Sequence, residues 1–328
     1  MPTRFEWPTI GLVLLAHVVW AGTVYAAGVH GLWYLLPLAV LAAALHSSLQ
    51  HECLHGHPTN DRYWNEACVF LSLGLFCPYR RFRTLHLKHH DNEALTDPYD
   101  DPETYYMTPK DWSKASWLWQ RIRLVNNTQL GRLIIGPALS IWGFWTSELR
   151  LMLKGDTEVM SDWLLFLVGA VPVIWWVTWI SGLNPLLYFL AVCYPTIAVL
   201  SIRTFMEHQA RSEIDQRTII NEDRGLLSLI FLKNNLHLVH HTYPAVAWYK
   251  LPGMYRADRE SYLTRNGNYR VASYWEVFRR YALRRKEPVE HPVMATGLWR
   301  GRSVELPDGW TAAPRPEADR SGPDLGRD

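Results

Sequence analysis

Cysteine is scarce in this chain. There are four in 328 residues (Cys53, Cys68, Cys77 and Cys193), with no paired spacing. That excludes a disulfide-stapled fold and leaves free, buried thiols as the expectation. Net charge is nearly absent too, at +2, so nothing in composition points to a nucleic-acid partner. There is no G-x-G-x-x-G segment for a dinucleotide and no internal repeat.

Charge itself is missing from long stretches. Residues 9–28, 32–50 and 163–202 contain no Asp, Glu, Lys or Arg, the last being broken only by a polar turn at 181–185. About 20 apolar helical residues cross the hydrocarbon core of a bilayer. The pattern therefore predicts an all-α membrane protein with four transmembrane helices, at about 9–28, 32–50, 162–180 and 186–202. Turns at 29–31 and 181–185 pair them into two hairpins. Neither turn carries Lys or Arg; all 33 lie in the N-terminal stub, in 51–161 or beyond 202. The positive-inside rule then places both termini and the long polar segments in the cytoplasm. The stub leads into a span too long for a signal-peptide core, so no cleavable signal is expected.

Two further apolar stretches are less suited to spanning. Residues 67–78 are too short and read as a segment dipping into the interface. Residues 130–145 include Arg132, Gly136 and Pro137 and read as an interfacial helix, a fifth or sixth span being the alternative. The region after 202 is expected to form a helical cytoplasmic cap. Residues 1–306 read as one membrane domain, and 307–328, rich in Pro, Gly, Asp and Arg, as a disordered tail. Trp20, Trp33, Trp163, Trp176 and Trp179 fall near span ends, where indole favours the interface.

Against these absences stand 14 histidines, eight of them in three short runs. The runs are His51-Glu-Cys-Leu-His55, His86-Leu-Lys-His89-His90 and His237-Leu-Val-His240-His241. Spacings of three and four put the rings of each run on one helix face. Imidazole is a common ligand for iron, zinc and copper. His51 follows the second span directly, and His208 follows the fourth by one or two turns, at similar depth. The candidate ligands are His51, His55, His86, His89, His90, His208, His237, His240 and His241. A single metal takes roughly four to six ligands, so this set suggests two metals. His17, His30, His46, His57 and His291 are expected to be incidental.

The three runs and their flanks, separated by a membrane hairpin, resemble the integral-membrane fatty acid desaturase and hydroxylase superfamily, in its bacterial form, over about residues 40 to 245. The resemblance implies two irons held by the nine histidines, with His208 as the extra ligand from the end of the fourth span. It also implies O2 as co-substrate and a site in a bacterial inner membrane. Some members carry a water-mediated Asn four residues before that ligand; this chain has Thr204. The expected activity is a fatty acid desaturase acting on an acyl-lipid or acyl-thioester. Hydroxylation or ketolation of a carotenoid, alkane or small amphiphile is the alternative. Removing hydrogen from an unactivated methylene is chemistry that the cofactor carries. Electrons would come from an external ferredoxin, rubredoxin or cytochrome b5 type of carrier on the cytoplasmic face. The basic runs at 80–83 and 279–286 suit such a carrier or anionic headgroups. Carboxylates or amides beside metal-bound histidines orient the rings. Glu52, Asp97, Asp100 and Asn235 are the candidates for that role, although the acidic run at 97–103 also reads as a turn.

The segment His51-Glu52-Cys53-Leu54-His55 also spells H-E-x-x-H, the zinc-protease pattern with Glu52 as general base. That reading leaves both H-x-x-H-H runs without a role, and residues 163–202 supply no carboxylate as a third ligand. No catalytic group beyond the metal ligands is assigned. On this reading His208→Ala should remove bound metal as thoroughly as His240→Ala, and His291→Ala should change nothing. Metal content of the purified variants is the check, and full loading of the His208 variant would remove it from the ligand set.

Overall fold

Four helices long and apolar enough to cross a membrane organise the computed structural model, which describes residues 5–91 and 93–296. They run Trp7–His30, Trp33–Leu54, Thr157–Ile180 and Pro185–Thr204, and are called the first to fourth spans here. The tail at 307–328 lies outside the described residues.

Each span ends where the local chemistry requires it. Gly31 adopts a left-handed φ of 67° and closes the first span with its N–H on the Ala26 carbonyl. The Asp156 and Asn184 side chains accept N–H groups at the starts of the third and fourth spans. The second span runs further than the absence of charge suggested. Its helix continues to Leu54, so His51 sits in the last turn rather than beyond it. The fourth span widens to a π-helical turn over Phe189–Cys193, just before Pro195, whose ring has no N–H to donate.

The first and second spans pack along one another. Gly28, near the end of the first, lies against the turn that joins the third and fourth. A Cβ there would fall 1.8 Å from the Ser181 carbonyl oxygen. The core between the spans includes Val24, Ala39, Ala43, Val177 and Val192. Leu73 joins that core from the irregular segment after the helix Arg62–Cys68. Non-helical backbone is tolerated at such a position only when protein covers it. Here the Tyr188 hydroxyl donates to the Leu73 carbonyl at 2.6 Å and accepts from the Trp20 indole at 2.8 Å. Trp20 is therefore a buried core residue and not part of an interfacial belt, whereas Trp33 and Trp179 are exposed.

Residues 130–145 fall in two helices, Gln129–Ile134 and Gly136–Leu153. The longer one presents Trp142, Leu149 and Leu153 outward. Inward, it offers Glu148 to Arg81 of the helix Tyr79–His89, in a buried two-pronged pair at 2.7 and 3.0 Å. Trp163 of the third span donates to the same carboxylate at 3.1 Å. This pair ties the helix carrying the second histidine run to the membrane helices. It also takes Arg81 out of the basic surface expected at 80–83. After the fourth span the chain forms short helices and one parallel strand pair, Ile220–Asn221 with Arg270–Val271.

Removing one member of a buried ion pair strands the other, at a cost of about 3–5 kcal/mol. Arg81→Met should therefore destabilise the protein by about that much in detergent. Arg81→Met combined with Glu148→Met should recover most of the loss. Thermal or denaturant unfolding reads both, and a silent single variant would contradict the buried pair.

Candidate metal centre

All three histidine runs lie at helix ends. His51 occupies the last turn of the second span and His55 caps it. His86 and His89 end the helix Tyr79–His89, with His90 as its cap. His237, His240 and His241 belong to the short helix His237–Thr242. His208 lies four residues past the fourth span and bridges to Thr218.

These positions bring the nine side chains into two adjacent groups. His51, His55, His86, His90 and His240 form one; His89, His208, His237 and His241 form the other. Within each group the available ligand nitrogens lie within 4.8 Å of one another. The rings of His90 and His241 stack at 4.3 Å and join the groups. His46 belongs to neither and meets His17 edge-on. His57 pairs with Glu6 at 3.0 Å.

The outer ring nitrogens of His86, His89 and His237 are held. His86 donates Nδ1–H to Glu103 and His89 to Asp101, both at 2.7 Å. His237 donates to Asn234 Oδ1 at 2.9 Å, with Glu207 at 3.7 Å. A carboxylate accepts only, so Nδ1 carries the proton and the neutral ring turns an Nε2 lone pair inward. His89 and His237 both aim Nε2 at His208 Nε2, each at 3.0 Å. With neutral rings, His208 brings at most one proton to those two contacts, so at least one pair of lone pairs faces directly. His90 Nε2 likewise sits 3.0 Å from His86 Nε2 and 3.2 Å from His240 Nε2. The buried Nε2 atoms of His51 and His55 have no hydrogen-bond partner. A cation between the nitrogens relieves both defects, so this donor set fits metal ions.

Titration behaviour follows from the same crowding. Burial, together with the His86 and His90 rings, pushes His55 down to about 2. Burial with His86 and His89 pushes His90 down to about 3. His208, His237, His240 and His241 are also held well below the ordinary imidazole value, first by burial and then by charged or ring neighbours. His89 goes the other way. Burial opposes its charge, but Asp101 and Glu103 outweigh burial and raise it to about 9. A proton drawn there is the response of a site built to hold positive charge.

A model of the fatty acid desaturase family matches residues 28–273, a range that includes all nine histidines. The chain belongs to the fatty acid desaturase family. A search of curated proteins gave no match. Membership makes this desaturase-family chain an oxidoreductase.

The ring-holding groups differ from those expected. Asp97 accepts backbone N–H groups of Tyr99 and Asp100, the work of a turn residue. Among the described residues Asp100 makes no side-chain bond to a histidine; Asp101 and Glu103 do. Asn235 braces Ser228, Asn221 and Asp223, and its neighbour Asn234 takes the ring. Glu52 accepts the Trp248 backbone N–H at 3.2 Å, away from the position of a protease base. Thr204 lines a cavity of about 30 Å3 with His89, Glu103, Tyr105, Glu207 and His208, space on the scale of a water molecule. His291, expected to be incidental, is fully buried. Its ring caps the helix Pro292–Ala295 and packs on Tyr106, so His291→Ala should destabilise the protein rather than pass unnoticed. Lys286 also turns inward from its basic run, its side chain only 4% exposed.

The lowered histidines give stability a pH dependence of known sign. An unfolded imidazole takes up a proton near about pH 6.5. Folded His55 and His90 refuse it until about 2 and about 3. Their contribution is complete above the unfolded value and is lost as pH falls below it. His89, raised to about 9, contributes in the opposite sense, fully below the unfolded value and fading as pH rises toward 9. Metal-free protein in detergent should therefore lose Tm steadily from about pH 7 to about pH 5. A Tm that rises over that interval would contradict the buried, neutral rings.

Proposed function

We propose that this protein is an O2-dependent, membrane-embedded non-haem di-iron enzyme that introduces a double bond into the acyl chain of a lipid or thioester. The observation that carries this reading is the division of nine histidines into groups of five and four with their free nitrogens converging. Each group is assigned one iron. Bound iron would supply reduction of O2 and removal of hydrogen from the substrate carbon.

The chain's own residues account for the rest. Glu103, Asp101 and Asn234 hold the outer nitrogens of His86, His89 and His237 and fix which edge of those three rings is offered. The spans bury the site from above and keep water from it. In this reading the four spans form two hairpins, the later helices form a cap, and the site opens to the cytoplasmic side. The absence of Lys and Arg from both turns supports that orientation. No nucleotide motif is present, so two electrons per turnover come from a separate carrier of ferredoxin, rubredoxin or cytochrome b5 type. Arg279, Arg280, Arg284 and Arg285 remain exposed for such a contact or for headgroups.

The test is expression with a compatible carrier, followed by metal analysis and lipid analysis of the host. Two irons per chain and new acyl double bonds are expected. New hydroxyl or keto groups instead would move the activity to the hydroxylase branch. One zinc per chain would contradict the reading.

A further inference from the structure

The family match ends at residue 273, yet the segment that follows the helix Tyr274–Tyr281 lies directly on the four-histidine group. Its backbone pairs with the chain after the acidic run. Met107 donates to the Val289 carbonyl, and His291 donates back to the Met107 carbonyl, both at 2.9 Å. Lys286 N–H reaches the Asn127 carbonyl at 3.0 Å. The segment is thus fastened at both ends.

Two side chains reach from it toward the same group. Lys286 Nζ donates to the backbone carbonyl of His208 and, at 2.8 Å, to the Tyr105 hydroxyl. Glu287 lies 3.1 Å from the ammonium and accepts the Tyr105 hydroxyl at 2.5 Å. A buried ammonium with three such partners is fixed in place. His291 accepts the Met294 N–H on Nδ1, which leaves Nε2–H to face Thr96 Oγ1 at 3.4 Å. Thr96 holds a left-handed φ of 71°, a conformation that a β-branched residue keeps only under constraint. In that conformation its N–H donates to Asp101 Oδ2 at 2.8 Å, and the other oxygen of Asp101 takes the His89 ring. One arm therefore ends on His208 and the other on His89.

We infer that residues 286–291 are a positioning strap for the four-histidine metal site, acting on the His208 backbone through Lys286 and on the His89 ring through His291, Thr96 and Asp101. The inference rests on the two-metal reading above. It assigns the strap to one metal of the two, since both arms end on the four-histidine group. Groups that orient metal-bound histidines typically alter affinity by about 10–100-fold.

The test is metal loading of the full-length protein in detergent, measured as iron per chain and as the iron affinity of the weaker site. Lys286→Met keeps the length of the side chain and removes its donors. It should weaken one site by about tenfold or more, taking purified protein from two irons toward one, and Lys286→Arg should restore the second. Arg256→Met, on an exposed residue, should leave both in place. Should Lys286→Met fail to fold, Tyr105→Phe removes one anchor of the ammonium and is expected to act in the same direction by a smaller factor. Two irons of unchanged affinity in the Met variant, or in Tyr105→Phe, would overturn the strap. So would parallel loss of both irons from a folded variant. A wild-type chain that binds a single metal would contradict the two-metal reading before any variant is made, and the strap would fall with it.

Discussion

Buried imidazole nitrogens are brought to 3.0 Å of one another in both histidine groups, with fewer ring protons than contacts to serve. Outside water such contacts are unfavourable unless a positive charge sits between the nitrogens. The carboxylates at Glu103 and Asp101 intensify the demand, because by fixing the outer protons they point the lone pairs inward. Much of the surrounding structure serves to keep these rings where they would not stay by themselves. The buried Arg81–Glu148 pair anchors the helix of the second run, and the strand-like pairing of Met107 with residues 289–291 closes the opposite side.

The membrane helices contribute depth and dryness rather than chemistry. Their apolar faces set where the second and fourth spans end, and those ends deliver His51, His55 and His208 to one level. The remaining six histidines come from short helices under the spans. A segment of irregular backbone at 69–78 is accepted among the spans because Tyr188 and Trp20 satisfy part of it from within. Outward positions of the third and fourth spans carry large apolar side chains, as in Leu164, Val171 and Leu190.

The spans and the nine histidines that the fold gathers were legible in the sequence because each depends on local pattern. Absence of charge marks a helix that meets lipid, and spacings of three and four mark a helix face. Span ends were less legible. The second helix passes through His51 because nothing in 51–54 breaks it, and Gly56 is the first residue after it at positive φ. The ring partners were not legible at all. Asp97, Asp100, Asp101 and Glu103 share one acidic run, and only the path of the backbone decides which carboxylate turns to a ring and which caps the turn. Asn234 and Asn235 differ by a single position in the same way. His291 and Lys286 looked peripheral because they pair with residues 195 and 181 positions away.

The claim that the two histidine groups each hold a metal is tested most directly by anomalous X-ray scattering at the iron edge from crystals of the purified protein. Two peaks are expected, one among His51, His55, His86, His90 and His240 and one among His89, His208, His237 and His241. A single peak, or peaks away from these nitrogens, would contradict it.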